Sequence, residues 1–185
     1  MKKMTFNARY RNPKMFSAAM IAALLSLFIT PLQGCGYKFV GGGNMPAGVK
    51  SVCVSLFENR TAETGLESTI VSSLNYEFTR NGIKVMANPD KADARLTGTI
   101  KSVKVETVSY RANQTSIESR VTVVVDARLK NKEGVEIWAA DNVSERQTYT
   151  ADTDKQNTVR NKKSALATLS QRLAESFYGR LTEDF

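Results

Sequence analysis

The clearest pattern in the chain is an alternation of apolar and polar residues over residues 117–129, which predicts a β-strand with one buried face. The inward set is Ile117, Ser119, Val121, Val123, Val125, Ala127 and Leu129. Residues 131–134, with the sequence Asn-Lys-Glu-Gly, then have the composition of a tight turn. Residues 135–149, which contain Trp138, return as the next strand. The two segments therefore predict an antiparallel hairpin.

Two further strands and a short extended piece precede this hairpin. Residues 49–57 are apolar and β-branched and predict the first strand, and residues 83–85 add a short extended piece. From residue 92 to 100 the apolar positions are even-numbered, but Val103 and Val105 are odd-numbered. A β-bulge near Lys101 and Ser102 explains this change of phase. We expect the second half of this long strand to turn toward a different partner.

Two amphipathic helices are predicted by apolar residues that recur every four positions. The first stripe is Leu66, Ile70, Leu74 and Phe78, and the second is Ala165, Leu169, Leu173, Phe177 and Leu181. Thr64 and Glu67 have the spacing of a capping box at the start of the first helix. Residues 150–163 are polar, and we predict a loop there.

The order of these elements is strand, helix, strand, strand, strand, helix. Because each helix has a single apolar face, the order predicts an α+β two-layer sandwich. Its two helices pack on one face of a mostly antiparallel four-stranded sheet. The other sheet face carries Thr, Arg, Glu and Lys, which can remain in contact with water.

The N-terminal segment has the features of a bacterial lipoprotein signal. A basic head without acidic residues is followed by an apolar run over residues 15–29, which is too short to span a bilayer, and then by Pro31. Leu32 to Gly34, directly before Cys35, resembles a lipobox. We therefore predict a cleaved signal peptide over residues 1–34, a lipidated tether over residues 35–48 and one periplasmic domain over residues 49–185. Gly36 stands where an inner-membrane retention signal has aspartate, so we expect attachment to the outer membrane, on its periplasmic side.

Composition changes this picture in two ways. The net charge of +8 is largely due to five Lys and Arg in the first 34 residues, and the remainder has 21 basic and 18 acidic residues. A chain whose basic and acidic residues are so nearly equal in number is not typical of nucleic-acid-binding proteins. The chain has no histidine, which excludes Cys-His and Ser-His catalysis and most zinc sites. We expect no enzyme and no cofactor apart from the diacylglycerol and acyl chain on Cys35. Cys53 is predicted to be a buried, inert thiol.

Short motifs along the whole mature chain resemble the LptE family of lipopolysaccharide-assembly lipoproteins. They are residues 34–39 (Gly-Cys-Gly-Tyr-Lys-Phe), 57–61 (Phe-Glu-Asn-Arg-Thr), 65–67 (Gly-Leu-Glu), 92–94 (Ala-Asp-Ala), and Gly134 with Ile137 and Trp138. The resemblance implies a protein that plugs the lumen of the LptD β-barrel. It also implies that the protein binds lipopolysaccharide and helps to deliver it to the outer leaflet.

The same resemblance implies basic residues for the phosphates of lipopolysaccharide. Arg111 and Lys155 correspond to loop positions at which the family carries basic residues, and Arg120 is a weaker third candidate. Charge-assisted hydrogen bonds from Lys and Arg suit phosphate. The alternative is a regulatory lipoprotein that activates a peptidoglycan synthase, because such activators have a similar strand and helix after a lipid anchor.

Overall fold

The computed structural model describes residues 45–110 and 116–183. Within these ranges the strands are β1 (Ser51–Val54), β2 (Glu58–Asn59), β3 (Lys84–Val85), β4 (Ala94–Tyr110), β5 (Ser116–Asn131) and β6 (Glu136–Asp152). The helices are α1 (Leu66–Arg80) and α2 (Lys155–Glu183), and short 3-10 turns span Pro46–Gly48 and Pro89–Lys91.

The strands form one mixed sheet in the order β3, β1, β4, β5, β6, with β2 following β1 along the same edge of β4. β1 pairs in parallel with both β3 and β4, and β2 also pairs in parallel with β4. The pairs β4 with β5 and β5 with β6 are antiparallel. The α+β class with two helices packed against a sheet is confirmed. The prediction of four mostly antiparallel strands is wrong. The short strands β1, β2 and β3, which flank α1 in sequence, add parallel pairings to the sheet.

β4 contains the predicted bulge, and its register with β5 shifts between Ile100 and Ser102. The expected change of face does not occur. Residues directly opposite each other in a ladder project to the same face of the sheet. Ile100 lies opposite Val125 and Val103 lies opposite Val123, so both halves of β4 turn their apolar residues to the helix side. The bulge thus preserves the apolar face instead of reversing it.

β6 has a second bulge, and the two bulges are linked across the sheet. The ladder between β5 and β6 is irregular between Val125 and Ala127, where Asn142 adopts a φ of 54°. The Nζ atom of Lys101 donates to Oδ1 of Asn142 at 2.8 Å and pairs with Asp126 at 3.2 Å. The N–H of Asn142 donates to Asp126 Oδ1 at 2.7 Å. Three strands are therefore held in register by one polar cluster on the open face.

The two helices begin differently from the prediction. The N-cap of α1 is Gly65 in the left-handed region, not Thr64, although Glu67 does accept from the N–H of Gly65. α2 begins at Lys155, so most of the polar run predicted to be a loop is helical. Its first turns lie beyond the start of α1 and have little to bury, so they carry no apolar stripe.

The two helices run side by side in the same direction. Near their starts Lys162 of α2 forms an ion pair with Glu63, and near their ends Phe78 stacks edge-on against Tyr178 with ring centroids 6.1 Å apart. Leu74 and Leu169, in the middle of the two stripes, are both completely buried. Trp138 packs edge-on against Phe177, which joins β6 to the end of α2. The predicted helix stripes are therefore core.

The two ends of the sheet differ, and we name them by their turns. The proximal end holds the turn at residues 131–134, and the distal end is where β4 ends and β5 begins. At the proximal end the carboxylate of Asp93 accepts from the Lys50 N–H at 3.2 Å and from the Ser51 N–H at 3.0 Å, and pairs with Lys132 at 3.4 Å. Met45 is buried nearby as part of the core, so the folded part begins before residue 49.

Gly98 marks a close approach between β4 and the segment after β1. A Cβ atom at this position would lie 2.7 Å from the carbonyl oxygen of Asp126 and still closer to the ring of Phe57. Phe57 is buried and fills this space. Glycine at position 98 is therefore required by packing.

We expect Gly98→Ala to lower the free energy of unfolding by about 1 to 3 kcal/mol, the usual cost of overpacking. Gly179→Ala is the matched control, because a Cβ there meets no atom within 4 Å and the position is helical. That control should be neutral or stabilising. Urea denaturation of both variants measures the difference, and equal midpoints would contradict the packing role of Gly98.

Asp93 makes the proximal end sensitive to acid. Hydrogen bonds from the Ser51 hydroxyl, then from the Lys50 N–H, hold the pKa of Asp93 below its usual value of 3.8. A lowered folded-state pKa stabilises the fold above the unfolded-state pKa, and this stability is lost as the pH falls through the folded-state pKa. We expect Asp93→Asn to lower the melting temperature at pH 7 and to reduce its drop below about pH 4. An unchanged pH profile in this variant would contradict the assignment.

Candidate functional site

The distal end brings three chain segments together. Ser116, the first residue of β5, pairs with Asp152, the last residue of β6, and α2 starts three residues later. The hydroxyl of Thr158 accepts from the Asp152 N–H at 2.8 Å and donates to the Asp152 carbonyl at 3.0 Å. This double contact fixes the start of α2 against the end of β6. A ligand at the distal end would therefore meet the start of α2.

Lys155 is the first residue of α2 and is exposed at this distal end. Asp154 precedes it and accepts from the Gln156 N–H at 2.8 Å, which caps the helix. A hydrogen bond from the Thr153 hydroxyl lowers the pKa of nearby Asp152. Arg111 lies outside the described residues, but its neighbour Tyr110 pairs with Ile117 at the same end.

Three more cations follow Lys155 along the first turns of α2, and sequence reasoning did not single them out. They are Arg160, Lys162 and Lys163. Arg160 and Lys163 are exposed, whereas Lys162 is engaged by Glu63. They lie on helical turns that were not predicted, because residues 150–163 are polar. A count of basic residues at helical spacing over residues 155–163 could have found them.

A cleft opens between the start of α1 and the first half of α2. It has a volume of about 740 Å³ and contains Leu66, Leu166 and Ala167 among its lining residues. Val159 lines it as well and is 67% exposed, which is unusual for so apolar a side chain. Lys162 and Lys163 also contribute to the lining. The cleft thus combines an apolar wall with cations.

Arg120 does not join this group. It lies in β5 between Ser119 and Val121, which face the helices, so its side chain is on the open face. The register places Arg120 opposite Glu106 on β4 and Thr148 on β6. The structure therefore separates Arg120 from Lys155, which lies in the helix layer.

Arg128 is also on the open face, but its charge is compensated. It donates to Asp141 at 2.5 Å and lies 3.5 Å from Glu136. The hydrogen bond to Asp141 raises the pKa of Arg128 above its ordinary value. An arginine held in this way is a poor candidate for an external anion.

Two cysteines remain among the residues that the sequence singled out. Cys35 lies outside the described residues. Cys53 is a free thiol in β1 and is buried, as predicted. In residues 45–110 and 116–183, no group of three or more Cys, His, Asp or Glu is arranged to hold a metal ion. No helix within those same ranges is both long enough and apolar enough to cross a membrane.

These features define an α+β domain with an apolar cleft and exposed cations at one end. The family model described as LptE, lipopolysaccharide assembly, matches residues 49–181. The chain therefore belongs to the LptE family, whose members are non-enzymatic lipoproteins of lipopolysaccharide assembly. No curated protein matches the chain.

Several solved structures are similar to this chain at low identity. A minor lipoprotein from Acinetobacter baumannii is 15% identical, with 73% of this chain and 92% of that chain covered and a TM-score of 0.45. PelC from Paraburkholderia phytofirmans is 16% identical, with 76% and 94% covered and a TM-score of 0.45. Rare lipoprotein B from Shewanella oneidensis is 13% identical, with 66% and 88% covered and a TM-score of 0.41. The family assignment rests on the family model alone.

Proposed function

We propose that this protein is an outer-membrane lipoprotein that plugs an LptD-type β-barrel and binds lipopolysaccharide for delivery to the outer leaflet. Membership of the LptE family supports a role in lipopolysaccharide assembly in general. The barrel, the contact with lipopolysaccharide and the location in the outer membrane are the parts that we add.

The observation that carries the proposal is the combination of exposed cations on the first turns of α2 with the apolar cleft beside them. Lipopolysaccharide carries phosphates next to acyl chains, so a site for it needs donors beside an apolar wall. Lys155, Arg160 and Lys163 are exposed on α2, and Val159 and Leu166 line the adjoining cleft. We assign the phosphates to Lys155 and Arg111, with Arg120 as a secondary contact on the open face. The cleft would receive part of an acyl chain.

A short segment would join the proposed lipid anchor to the folded domain. Cys35 would carry the diacylglycerol and the acyl chain after cleavage of residues 1–34, and residues 35–44 would form the tether. Ten residues reach at most about 35 Å. Met45 is part of the core, so the tether would join the folded domain at residue 45.

The open face of the sheet suits a barrel lumen. The interior of a membrane barrel is polar, and this face presents polar groups, some of whose charges are paired. Lys101 pairs with Asp126, and Arg128 pairs with Asp141 and Glu136. These paired charges can be enclosed by a polar wall without leaving isolated ions buried.

Affinity purification of the lipidated protein tests the partner. We expect recovery of a large outer-membrane β-barrel protein. Recovery of a peptidoglycan synthase in its place would contradict the proposal and favour the alternative activator function.

Replacement of Cys35 should separate anchoring from folding. We expect Cys35→Ala to remain an unprocessed precursor that does not reach the outer membrane, while its described domain stays folded. Mass spectrometry of the N-terminus and membrane fractionation measure the outcome. A wild-type chain that begins at Cys35 without acyl mass would contradict the anchor.

Reversal of two distal charges should weaken ligand binding. Arg111→Asp with Lys155→Asp removes two charge-assisted bonds, each worth roughly 1.5 to 3 kcal/mol. We therefore expect at least a roughly tenfold loss of affinity for purified lipopolysaccharide and a weaker dependence on salt. Retention of the barrel in affinity purification should be unchanged.

The matched control reverses two exposed lysines away from the distal end, Lys84→Asp with Lys91→Asp. This variant has the same net charge and should bind like the wild type. If both double variants bind equally well, the distal loops are ordinary surface. The ligand site would then have to include Arg120 on the open face.

A further inference from the structure

The proximal end of the open face carries two cations that stand side by side. Arg95 of β4 and Lys130 of β5 lie directly opposite each other in the antiparallel ladder. Their strand neighbours Leu96 and Leu129 are completely buried on the helix side, so Arg95 and Lys130 project from the open face. Both are exposed. We call these two residues the cation pair.

The register makes the cation pair unusual within the sheet. Like charges in directly facing positions are destabilising, whereas opposite charges are stabilising. In the ladders that the structure describes for β4 with β5 and for β5 with β6, no other residues of like charge face each other. Further along the first of these ladders, Glu106 faces Arg120, which has the opposite charge. The fold therefore tolerates a repulsive contact at this one position.

The acidic residues around the cation pair do not neutralise it. Glu136 lies opposite Lys130 in the ladder, yet its carboxylate contacts Arg128 at 3.5 Å. Asp93, two residues before Arg95, is engaged by backbone N–H groups at the proximal end. Within residues 45–110 and 116–183, neither side chain of the cation pair has a hydrogen bond or an ion pair. Both charges are therefore left for an external anion.

A depression of about 360 Å³ adjoins the cation pair. Arg95, Lys130 and Lys132 contribute three cations to its lining, and Asp90 contributes one carboxylate. The depression therefore has a positive balance of charge, and an anionic group is the occupant that it favours.

We propose that the cation pair is a docking site for an Asp or Glu side chain of the barrel wall. This inference rests on the proposed function, in which a barrel encloses the open face. An enclosed ion needs a counter-ion, because an unpaired charge that is removed from water is costly. Asp and Glu are the protein side chains that are fully ionised as anions at neutral pH. A wall made of protein therefore has to meet the cation pair with a carboxylate.

The two cations suit a carboxylate for different reasons. The guanidinium of Arg95 presents its donors in a planar fork that matches the two oxygens of a carboxylate. The ammonium of Lys130 adds a point charge on a flexible stem, so it can approach the same carboxylate from the neighbouring strand. A carboxylate between the two cations replaces their repulsion by attraction. The contact therefore favours the enclosed protein over the free protein.

Arg95→Glu separates docking from folding, because the two expected effects have opposite signs. In the full-length protein purified without a barrel, this variant places opposite charges at positions 95 and 130 and should raise the melting temperature by about 2 to 4 °C. Recovery of the barrel by affinity purification should fall at least about tenfold, because an acid then faces the acid of the wall. A merely structural role of Arg95 would lower both quantities.

Arg180→Glu is the matched control for this charge reversal. Arg180 is exposed near the end of α2, so it lies in the helix layer and not on the open face. The control variant has the same net charge as Arg95→Glu. It should leave recovery of the barrel unchanged.

Carbodiimide coupling of the purified complex identifies the contact. The reagent activates a carboxylate, and a lysine amine in contact with it then forms an amide while the activating group leaves as a urea. We expect mass spectrometry to show Lys130 linked to an Asp or Glu of the barrel. Lys130→Arg keeps the charge but removes the amine, so the link should be lost while the barrel is still recovered. Arg95→Lys supplies a second amine and should give a new link to the same segment of the barrel.

Two results would overturn this proposal alone. One is a recovered complex in which Lys130 is uncoupled, or is coupled only to Glu136 of its own chain. The other is undiminished recovery of the barrel by Arg95→Glu. If the wild type recovers no barrel at all, the proposed function fails as well, so the two failures are distinguishable.

Discussion

The length of α1 relative to the strands below it determines how the rest of the molecule is arranged. A residue adds about 1.5 Å to a helix but about 3.3 Å to a strand. The 15 residues of α1 therefore cover about 22 Å, whereas the 17 residues of β4 extend for about 56 Å. The proximal half of the sheet is closed by both helices, and the distal half is covered by α2 alone. The cleft lies at the start of α1, and the exposed cations on the first turns of α2 lie beyond it toward the distal end.

Such a long strand must compensate for its own irregularities if one face is to stay apolar. Without the extra residue at the β4 bulge, Val103 would project to the open face and leave Val123 without an apolar neighbour. The bulges of β4 and β6 are joined by Lys101, Asp126 and Asn142. Burial alone would raise the pKa of Asp126, but the Asn142 N–H and Lys101 outweigh it, so that the pKa is lowered. The polar cluster therefore stabilises the register on which the apolar row depends.

What the sequence predicts depends on whether a residue has to be buried. The stripe from Leu66 to Phe78 and the alternation along β5 exist because those residues form the core, and both were predicted correctly. The start of α2 at Lys155 was missed because helical turns that bury nothing need no periodic pattern. The parallel pairing of β3 with β1 was missed because two paired residues carry too little pattern to show their direction. Thr64 was wrongly placed at the N-cap: Gly65 takes that position in the left-handed region, and Glu67 accepts from the Gly65 N–H and from Asn59.

The motif at residues 57–61 illustrates why recognition of the family and location of its ligand site are separate problems. Phe57 fills the space above Gly98, and Glu58 pairs with Arg60 at 2.9 Å. Asn59 donates to the Glu63 carbonyl at 2.8 Å and to Glu67 at 2.7 Å, and its oxygen accepts from Thr61. Each residue of the motif is thus engaged within the fold, and Asn59 joins β2 to the start of α1. A ligand requires donors that the fold leaves free, and exposed lysines such as Lys155 and Lys163 have no packing role that would give them a recognisable sequence pattern.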